Sequence, residues 1–351
     1  MIEGTANTEN IYRKLLLDSS SSLKDFSLDR KKYYCKHIMA QTVEDKDTQA
    51  AIMGRVVETL LLEPELFDNK FYLSSCANPP TAMMLDFVIC LVDASIDGMD
   101  EETGEIRESF LDVAQKAYYK SRYKISLERV LKNFEGTDAE IYFNELLKVK
   151  MDNLTVITSD DVTNAERIVE ELKTNPITSG IVNLVNSLRW EIKNQFQVEG
   201  YVIDGHTFKS MLDKVVIDHK EKKIDIYDLK CVWAVEGFYS EYYLYRRAYI
   251  QAYLYYQAII SLTLDKTHDW YRYNVNYPKF IVCDSINYFS PLIYTMDDGD
   301  MKDAYMGFEH KGKEYPGVKD LIQDLKWALE NNIWNISRKN YLSNGVINIK
   351  D

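Results

Sequence analysis

Three consecutive β-rich runs separated by polar turns constrain the fold of this chain more than any other feature. The runs cover residues 195–203, 208–217 and 224–229. Asp204 and Gly205, between the first two runs, form a dipeptide typical of a two-residue hairpin turn. The polar segment 219–222 joins the second run to the third. The pattern therefore predicts an antiparallel three-stranded meander.

Helical patterns lie on both sides of the meander. Ser19 to Ser22 precede an apolar pattern typical of a capped helix start, and residues 48–62 predict a helix that ends before Pro64. The elements predicted after the meander are a Tyr-rich helix at about 241–260, strands at 280–283 and around 288–296, and a helix at 318–331. This order predicts an α/β (α+β) fold, with a mixed central sheet flanked by helices.

The chain has 351 residues, enough for one large domain or two modest ones. Residues 82–96 are strongly apolar but too short to span a membrane, so they predict a buried helix. A charged, helical pattern follows to about residue 174. We predict an N-terminal helical part of the core at 1–75, a helical insertion or subdomain at 76–184, and the main part of the core at 185–351.

Charge and cysteine content leave several function classes open and exclude others. The net charge of −13 disfavours a broadly basic nucleic-acid surface, but a local basic groove would suffice for binding. The five scattered cysteines show no CxxC spacing, so neither a disulfide framework nor a zinc site is indicated. The N-terminus has neither the basic nor the apolar region of a signal peptide. We expect a cytoplasmic protein that does not associate with membranes.

The end of the meander carries the residues most suggestive of chemistry. Asp228 and Lys230 are two apart and leave the same face of a strand. A four-residue turn would pair Asp218 with Lys223, and the same antiparallel register places Asp213 opposite Asp228. Opposed carboxylates repel unless a cation lies between them, and a hard divalent ion with oxygen ligands would remove the conflict. The alternative is a solvated hairpin face on which Asp and Lys alternate.

These residues resemble a known family of nucleases. The segment KSMLDKVVIDHKEKKIDIYDLK is similar to the central motif of PD-(D/E)XK nucleases, with Asp213 as the first acid and Asp228-Leu229-Lys230 as the D/E-X-K element. Gln251 and Tyr255 match the QxxxY motif of the RecB-like branch. Arg247 would lie one turn earlier on the same helix, and this face is expected to meet DNA phosphates. Tyrosines that simply pack on the sheet are the alternative.

Two upstream segments extend the resemblance. GRVVE, from Gly54 to Glu58, is similar to the early helical motif of RecE-type and lambda-exonuclease-type enzymes. The RecE-like and RecB-like members often have histidine at this position, and Glu58 is as in the lambda branch. Ser21-Ser22-Leu23 with the later KKYY at 31–34 resembles the N-terminal element of phage RecE-like nucleases. Glu58 as a solvent-facing helix residue is the alternative, and Glu199 is a second-rank acidic candidate.

The resemblance implies a restriction-endonuclease-like core that binds one or two Mg2+ or Mn2+ ions. The implied ligands are Glu58, Asp213, Asp228 and the backbone carbonyl of Leu229, and Lys230 would orient or deprotonate the attacking water or stabilise the transition state. An iron–sulfur cluster is not expected, because Cys283 alone lies beyond Cys231.

The implied function is an exonuclease acting on the ends of double-stranded DNA in phage or mobile-element recombination. A single-strand annealing protein as partner, a homo-oligomer and, for a phage-encoded protein, the host cytoplasm would fit this function. The alternatives are a structure-specific or restriction-type endonuclease and a non-catalytic DNA-binding protein on the same fold.

Two further sets of residues are candidates for DNA contact. Lys120, Arg122 and Lys124 lie in a basic, tyrosine-rich stretch that could grip phosphates, although a solvated helix face is the alternative. Ser21 and Ser22 would bind a terminal phosphate at a helix N-terminus. The helical segment 76–184 is large enough to block continuous duplex.

Overall fold

The structure is a computed structural model that describes residues 9–41, 48–76, 78, 80, 82–100, 107–152, 154–287 and 289–346. Residues 1–8, which bear on the signal-peptide expectation, and Tyr288, at the start of one predicted strand, lie outside the described residues. The chain divides into two compact units, residues 1–63 with 167–351 and residues 64–166. The insertion expected at 76–184 overlaps the second unit but begins and ends later.

The helices and strands have the following bounds. In chain order the helices are α1 (Glu9–Lys14), α2 (Ser20–Leu28), α3 (Arg30–Tyr33), α4 (Gln49–Leu62), α5 (Phe67–Lys70), α6 (Ala82–Asp97), α7 (Phe110–Ser121), α8 (Leu127–Phe134), α9 (Asp138–Met151), α10 (Ser159–Thr174), α11 (Ser179–Val182), α12 (Ala248–Leu264), α13 (Asp298–Met306), α14 (Val318–Asn331) and α15 (Arg338–Leu342). The strands are β1 (Phe71–Leu73), β2 (Thr155–Ile157), β3 (Trp190–Ile203), β4 (His206–Asp218), β5 (Lys223–Val232), β6 (Asn274–Val275), β7 (Lys279–Asp284), β8 (Leu292–Thr295), β9 (Phe308–His310) and β10 (Lys313–Tyr315).

The first unit is built on a mixed sheet with the strand order β3-β4-β5-β7-β8, and β6 also pairs with β5. The meander β3-β4-β5 is antiparallel, β7 runs parallel to β5, and β8 is antiparallel to β7. The α/β fold with a mixed central sheet, predicted from the order of the elements, is confirmed.

Turn chemistry fixes the register of the meander. Asp204 and Gly205 have φ values of 48° and 69°, the left-handed conformations that a two-residue hairpin turn requires. At the second turn the Asp218 carboxylate accepts hydrogen bonds from the backbone N–H groups of Lys220 and Glu221, at 3.0 and 3.1 Å. Asp218 pairs with Lys223 across the ladder, which confirms the predicted register at this turn.

Helix α12 lies in the core of the first unit. Its buried residues include Tyr249 and Leu254, which belong to one apolar cluster with Ile224 and Ile226 of β5 and Phe280 of β7. Removing this much apolar surface from water is the main stabilising contribution of such a layer. The cluster therefore fixes α12 relative to the strands that carry the candidate site.

The predicted Tyr-rich helix at 241–260 is two elements in the structure, so the prediction of one continuous helix is wrong. A π-helix covers Tyr239–Tyr245, and α12 begins only at Ala248. Arg247 separates them with a φ of 55°, a left-handed conformation that interrupts regular helical hydrogen bonding. Arg247 is thus the residue preceding α12 rather than a residue one turn earlier on the same helix.

Helix α2 is fixed to the sheet by partly buried polar contacts. Ser19 and Ser22 form a reciprocal capping box, which confirms the predicted helix start. The Asp18 carboxylate accepts from Ser22 Oγ at 2.8 Å and Tyr33 OH at 2.9 Å, and lies 2.8 Å from His206 Nε2 of β4. These contacts place α2 beside the strands of the meander.

The second unit has its own core and a short parallel pair of strands, β1 with β2. Phe87 and Leu91 of α6 pack with Val113 of α7 and Phe134 of α8. The apolar segment at 82–96 therefore forms the predicted buried helix, α6. Among the described residues, no helix combines the length and apolar character needed to cross a membrane.

Candidate active site

Two aspartates lie where the ladder between β4 and β5 ends. The ladder runs from Asp218–Lys223 to Lys214–Tyr227, and the next position along it holds Asp213 and Asp228. The N–H of Leu229 donates a hydrogen bond to Asp213 Oδ2 at 2.8 Å. The two aspartates are only 7% and 1% exposed, so both carboxylates are largely withdrawn from water.

Lys230 joins this pair on β5. Its Nζ lies 2.5 Å from Asp228 Oδ2. Burial alone would lower the pKa of Lys230, but the charges of Asp228 and Asp213 outweigh it and raise the pKa above its ordinary value. Lys230 is therefore a protonated cation in this setting.

The surroundings of Asp213 disfavour its charged form, whereas those of Lys230 favour the charged form of the lysine. Burial, together with the negative charges of Asp228 and Glu58, raises the pKa of Asp213 well above its usual range. Lys230 and the N–H of Leu229 offset only part of this effect. The cluster thus has more negative charge than its own lysine neutralises, which is the electrostatic condition under which a cation would be stabilised.

Glu58 reaches this cluster from helix α4. The helix begins at the N-cap Thr48 and buries Met53, Val56 and Val57. Gly54 faces β5, where the Cβ of an alanine would lie 3.9 Å from Cys231 Cβ. Glu58, being on this helix, is close enough to act electrostatically on both Asp213 and Lys230.

Gln195 was not anticipated from the sequence, and it holds Glu58. Its Nε2 donates to Glu58 Oε1 at 2.5 Å. Gln195 lies within β3 but has a φ of 47°, a conformation that costs free energy for a residue with a side chain and recurs at functional sites. A sequence run that reads as regular strand gives no signal of this conformation.

Gln251 and Tyr255 contact the cluster from helix α12. Gln251 Nε2 donates to Asp228 Oδ1 at 2.7 Å and to Tyr255 OH at 2.8 Å. Both side chains are buried. Burial and the charges of Asp213 and Asp228 raise the pKa of Tyr255 well above its ordinary value, so the phenol is neutral. This geometry fits a pair that orients Asp228 rather than an exposed phosphate-binding surface.

Lys24 is a second lysine at the site, and the sequence pattern alone does not predict it there. It lies on α2, and its Nζ donates to Gln251 Oε1 at 3.3 Å. Burial, with the nearby charge of Lys230, lowers the pKa of Lys24 to about 8, although Asp228, Asp25 and Asp213 oppose this shift. The available signal was its position two residues after Ser22, within the N-terminal element already noted.

The remaining candidates have different surroundings. Ser21 is exposed, whereas Ser22 is buried and bonded to Asp18. Arg247 is half-buried, and its Nη1 has no hydrogen-bond partner among the described residues. Glu199 pairs with Lys209 across the β3–β4 ladder and adjoins a bulge between Glu199 and Tyr201.

The basic stretch belongs to the second unit. Lys120, Arg122 and Lys124 are exposed near the C-terminal end of α7. Lys120 Nζ lies 3.7 Å from Asp93 Oδ2, so its charge is partly matched within the same unit. Arg122 ends α7 with a φ of 56°.

The donor chemistry at the site suits a hard divalent cation, although the carboxylates are not closed around one position. Across the described ranges, no group of three or more His, Cys, Asp or Glu side chains is arranged to hold a metal ion. Asp213 and Asp228 nevertheless offer oxygen donors in a buried, excessively negative setting, which an oxygen-preferring ion would relieve. The residues therefore fit such an ion in chemistry and charge.

Comparison with known proteins adds little to this description. No protein-family model matches the sequence, and no curated protein matches it. One similar solved structure is a crystal structure of a "Putative exonuclease" from Eubacterium rectale, with a TM-score of 0.45 and 11% sequence identity, covering 99% of this chain and 89% of the other. A similarity this distant does not define the function of this chain.

Proposed function

We propose that this protein is a metal-dependent deoxyribonuclease of the PD-(D/E)XK type, which hydrolyses phosphodiester bonds from the ends of double-stranded DNA. The observation that carries the proposal is the burial of Asp213 and Asp228 together at the end of the β4–β5 ladder, with the partly buried Lys230 in an ion pair with Asp228. A solvated hairpin face, the ordinary alternative for this sequence pattern, would leave these groups exposed to water.

The carboxylates would provide the metal site. Glu58, Asp213, Asp228 and the backbone carbonyl of Leu229 would hold Mg2+ or Mn2+, and the ion when bound would polarise the phosphate and lower the pKa of a water molecule. Glu58 would contribute either its second oxygen or the one that now accepts from Gln195. The excess negative charge around Asp213 supports this assignment.

Lys230 acts as a fixed positive charge in this proposal. Its ion pair with Asp228 favours the ammonium form, which has no free electron pair with which to accept a proton as a general base. It would instead stabilise the negative charge that develops on the phosphate oxygens and orient the attacking water. The ion pair with Asp228 holds the ammonium in place before substrate binds.

Gln251 and Tyr255 position the aspartate. The Gln251 amide fixes one oxygen of Asp228 while Lys230 contacts the other. Tyr255 in turn contacts Gln251 and is buried within the core. Such supporting contacts keep reacting groups within the narrow geometry that catalysis requires.

The biological setting rests on the sequence resemblance. Action at DNA ends, a role in phage or mobile-element recombination, a single-strand annealing partner, a homo-oligomer and a cytoplasmic location are all features implied by RecE-like and lambda-like enzymes. The order of the three motifs, from Gly54 through the meander to Tyr255, supports this assignment over a restriction-type enzyme.

The deciding experiment compares linear duplex DNA with covalently closed circular DNA, each with Mg2+, Mn2+ or EDTA. We expect linear DNA to be consumed progressively from its ends with either metal, and circles to survive. Asp213→Ala, Asp228→Ala and Lys230→Ala should each lose about 10²-fold or more in rate, the scale seen when a transition-state stabiliser is removed. Discrete cuts in the circles would indicate an endonuclease, and DNA binding without cleavage would indicate a non-catalytic protein.

A further inference from the structure

We propose that Lys24 binds a DNA phosphate next to the carboxylates, with its ammonium positioned by Gln251. This inference rests on the proposed nuclease function and adds to it a contact from an N-terminal helix. At this end of the chain the resemblance implies phosphate binding by Ser21 and Ser22, and the surroundings of these serines differ from those of Lys24. Ser22 donates its hydroxyl to Asp18 and Ser21 is exposed, whereas Lys24 reaches the site itself.

Contacts through one amide place Lys24 in the site. Gln251 Oε1 accepts from Lys24 Nζ at 3.3 Å, while its Nε2 donates to Asp228 Oδ1 at 2.7 Å. A single side chain thus spans from the lysine to the carboxylate. The position of the lysine is set by α2, whose Leu23 and Phe26 are buried in the same apolar core as α12.

The charge environment of Lys24 is unusual for a lysine with a purely structural role. Buried or partly buried ammonium groups are normally paired with a carboxylate, because an uncompensated charge is costly to desolvate. Within the described residues, the hydrogen bond of Lys24 Nζ is to a neutral amide. The adjacent Lys230 disfavours its charge further, and the nearby carboxylates of Asp228, Asp25 and Asp213 offset only part of the cost, so that the pKa of Lys24 stays lowered.

A bound phosphate would supply what Lys24 lacks. An ammonium has three donors, and the contact with Gln251 uses one of them. Lysine commonly binds phosphate groups as a point charge, and the anion would stabilise the protonated form. Lys230 already forms an ion pair with Asp228, so a second cation gives the site a separate group for the substrate.

The test measures binding of a short blunt-ended duplex by fluorescence anisotropy over a range of salt concentrations. It is run in EDTA and again with Ca2+, with the DNA shown to be uncut. We expect Lys24→Met to weaken binding and to reduce the slope of log K against log salt by about 0.9, the value for one phosphate contact. Lys24→Arg, which keeps the charge, should preserve the slope.

The matched control is Lys266→Met, which removes the same charge from an exposed lysine beyond the C-terminal end of α12. At 1.5 Å per helical residue this end is about 20 Å from Gln251. A Lys24→Met protein with the parental affinity and slope would overturn the inference. If the Lys24→Met protein is unfolded at the assay temperature, Lys24→Gln is measured instead, and parental affinity and slope in that variant would likewise overturn the inference. A parent protein that binds no duplex would overturn the nuclease proposal as well. Failure of the Lys24 contact alone would instead leave duplex binding by the parent intact.

Discussion

Asp213 bears the least favourable charge in the candidate site when no ion is bound. Burial and the carboxylates of Asp228 and Glu58 raise its pKa well above the ordinary value. A carboxyl group with a higher pKa in the folded than in the unfolded state binds more protons when folded. The free energy of unfolding therefore falls as the pH rises from the unfolded pKa towards the folded one. A protein that lacks the Asp213 carboxylate should not lose this part of its free energy of unfolding as the pH rises.

Asp213→Asn removes the charge but keeps an oxygen that can accept from the Leu229 N–H. We expect a higher melting temperature than that of the parent in EDTA at pH 7, together with loss of nuclease activity. The difference should close below about pH 4, where the parent carboxyl is protonated in both states. Circular dichroism melts between about pH 3 and pH 8 would check this. A variant less stable than the parent at pH 7 would contradict the electrostatic interpretation.

Glu58 is the ligand candidate on helix α4, where its carboxylate accepts a hydrogen bond from Gln195. Glu58→Gln keeps the size of the side chain but removes the charge that acts on Asp213 and Lys230. We expect activity to need at least several-fold more Mg2+, with little change in the melting temperature measured without metal. The control is Glu199→Gln, a β3 carboxylate whose ladder partner is Lys209. Equal Mg2+ requirements for the parent and Glu58→Gln would make Glu58 an ordinary helix residue.

At the scale of elements, local patterns predict much of the fold. The two turns of the meander follow from Asp204-Gly205 and from the four residues after Asp218, because turn geometry depends on neighbouring residues. The helix predicted at 318–331 is α14 (Val318–Asn331). The sequence does not predict the break at Arg247, because helix-compatible residues continue through it; the structure gives Arg247 a left-handed backbone with a φ of 55°.

In the candidate site, too, some residues follow from local sequence patterns and others only from contacts between distant elements. Asp213, Asp228 and Lys230 follow from strand register, which the turn determines. Gln195 and Lys24 depend on contacts between elements far apart in the chain, and neither carries a sequence pattern of its own. Gln251 and Tyr255 were selected by resemblance, but their burial against Asp228 could be known only once α12 was placed on the sheet.

One close backbone contact positions α14 in the first unit. The Cβ of an alanine at Gly317, just before α14, would lie 2.2 Å from Gly307 N and 2.3 Å from Tyr305 O. We expect Gly317→Ala to lower the free energy of unfolding by about 1–3 kcal/mol or more, the range for overpacked sites. Urea denaturation would measure the loss. Gly180→Ala is the control, because its Cβ would meet no atom within 4 Å; an equal effect of both would contradict the steric argument.

At the scale of the whole molecule, the net charge of −13 is less informative than its distribution. The candidate site brings the carboxylates of Glu58, Asp213 and Asp228 together with the ammonium groups of Lys24 and Lys230. With all five groups ionised, their formal sum is −1, so a divalent cation would reverse its sign. A site of this kind attracts phosphate more strongly once an ion is bound, which would reconcile an acidic protein with the proposed DNA substrate.

The second unit offers a separate test of how much of the molecule meets DNA. Replacing Lys120, Arg122 and Lys124 together by glutamine removes three exposed positive charges. If they contact phosphates, affinity for duplex DNA should fall and the salt slope should decrease by up to about 2.7, or 0.9 for each contact. Because Lys120 already lies near Asp93, we expect the slope to decrease by about 1.8, the value for two contacts. Anisotropy titrations at several salt concentrations would measure it.

The control for this triple variant removes three exposed lysines from the first unit, Lys302, Lys311 and Lys313. Both variants change the net charge equally, so a general electrostatic effect would shift their affinities alike. A reduced slope in the Lys120 variant alone would show that the second unit binds the duplex. An unchanged slope would mean that this stretch is a solvated helix face and makes no contact with the DNA phosphates.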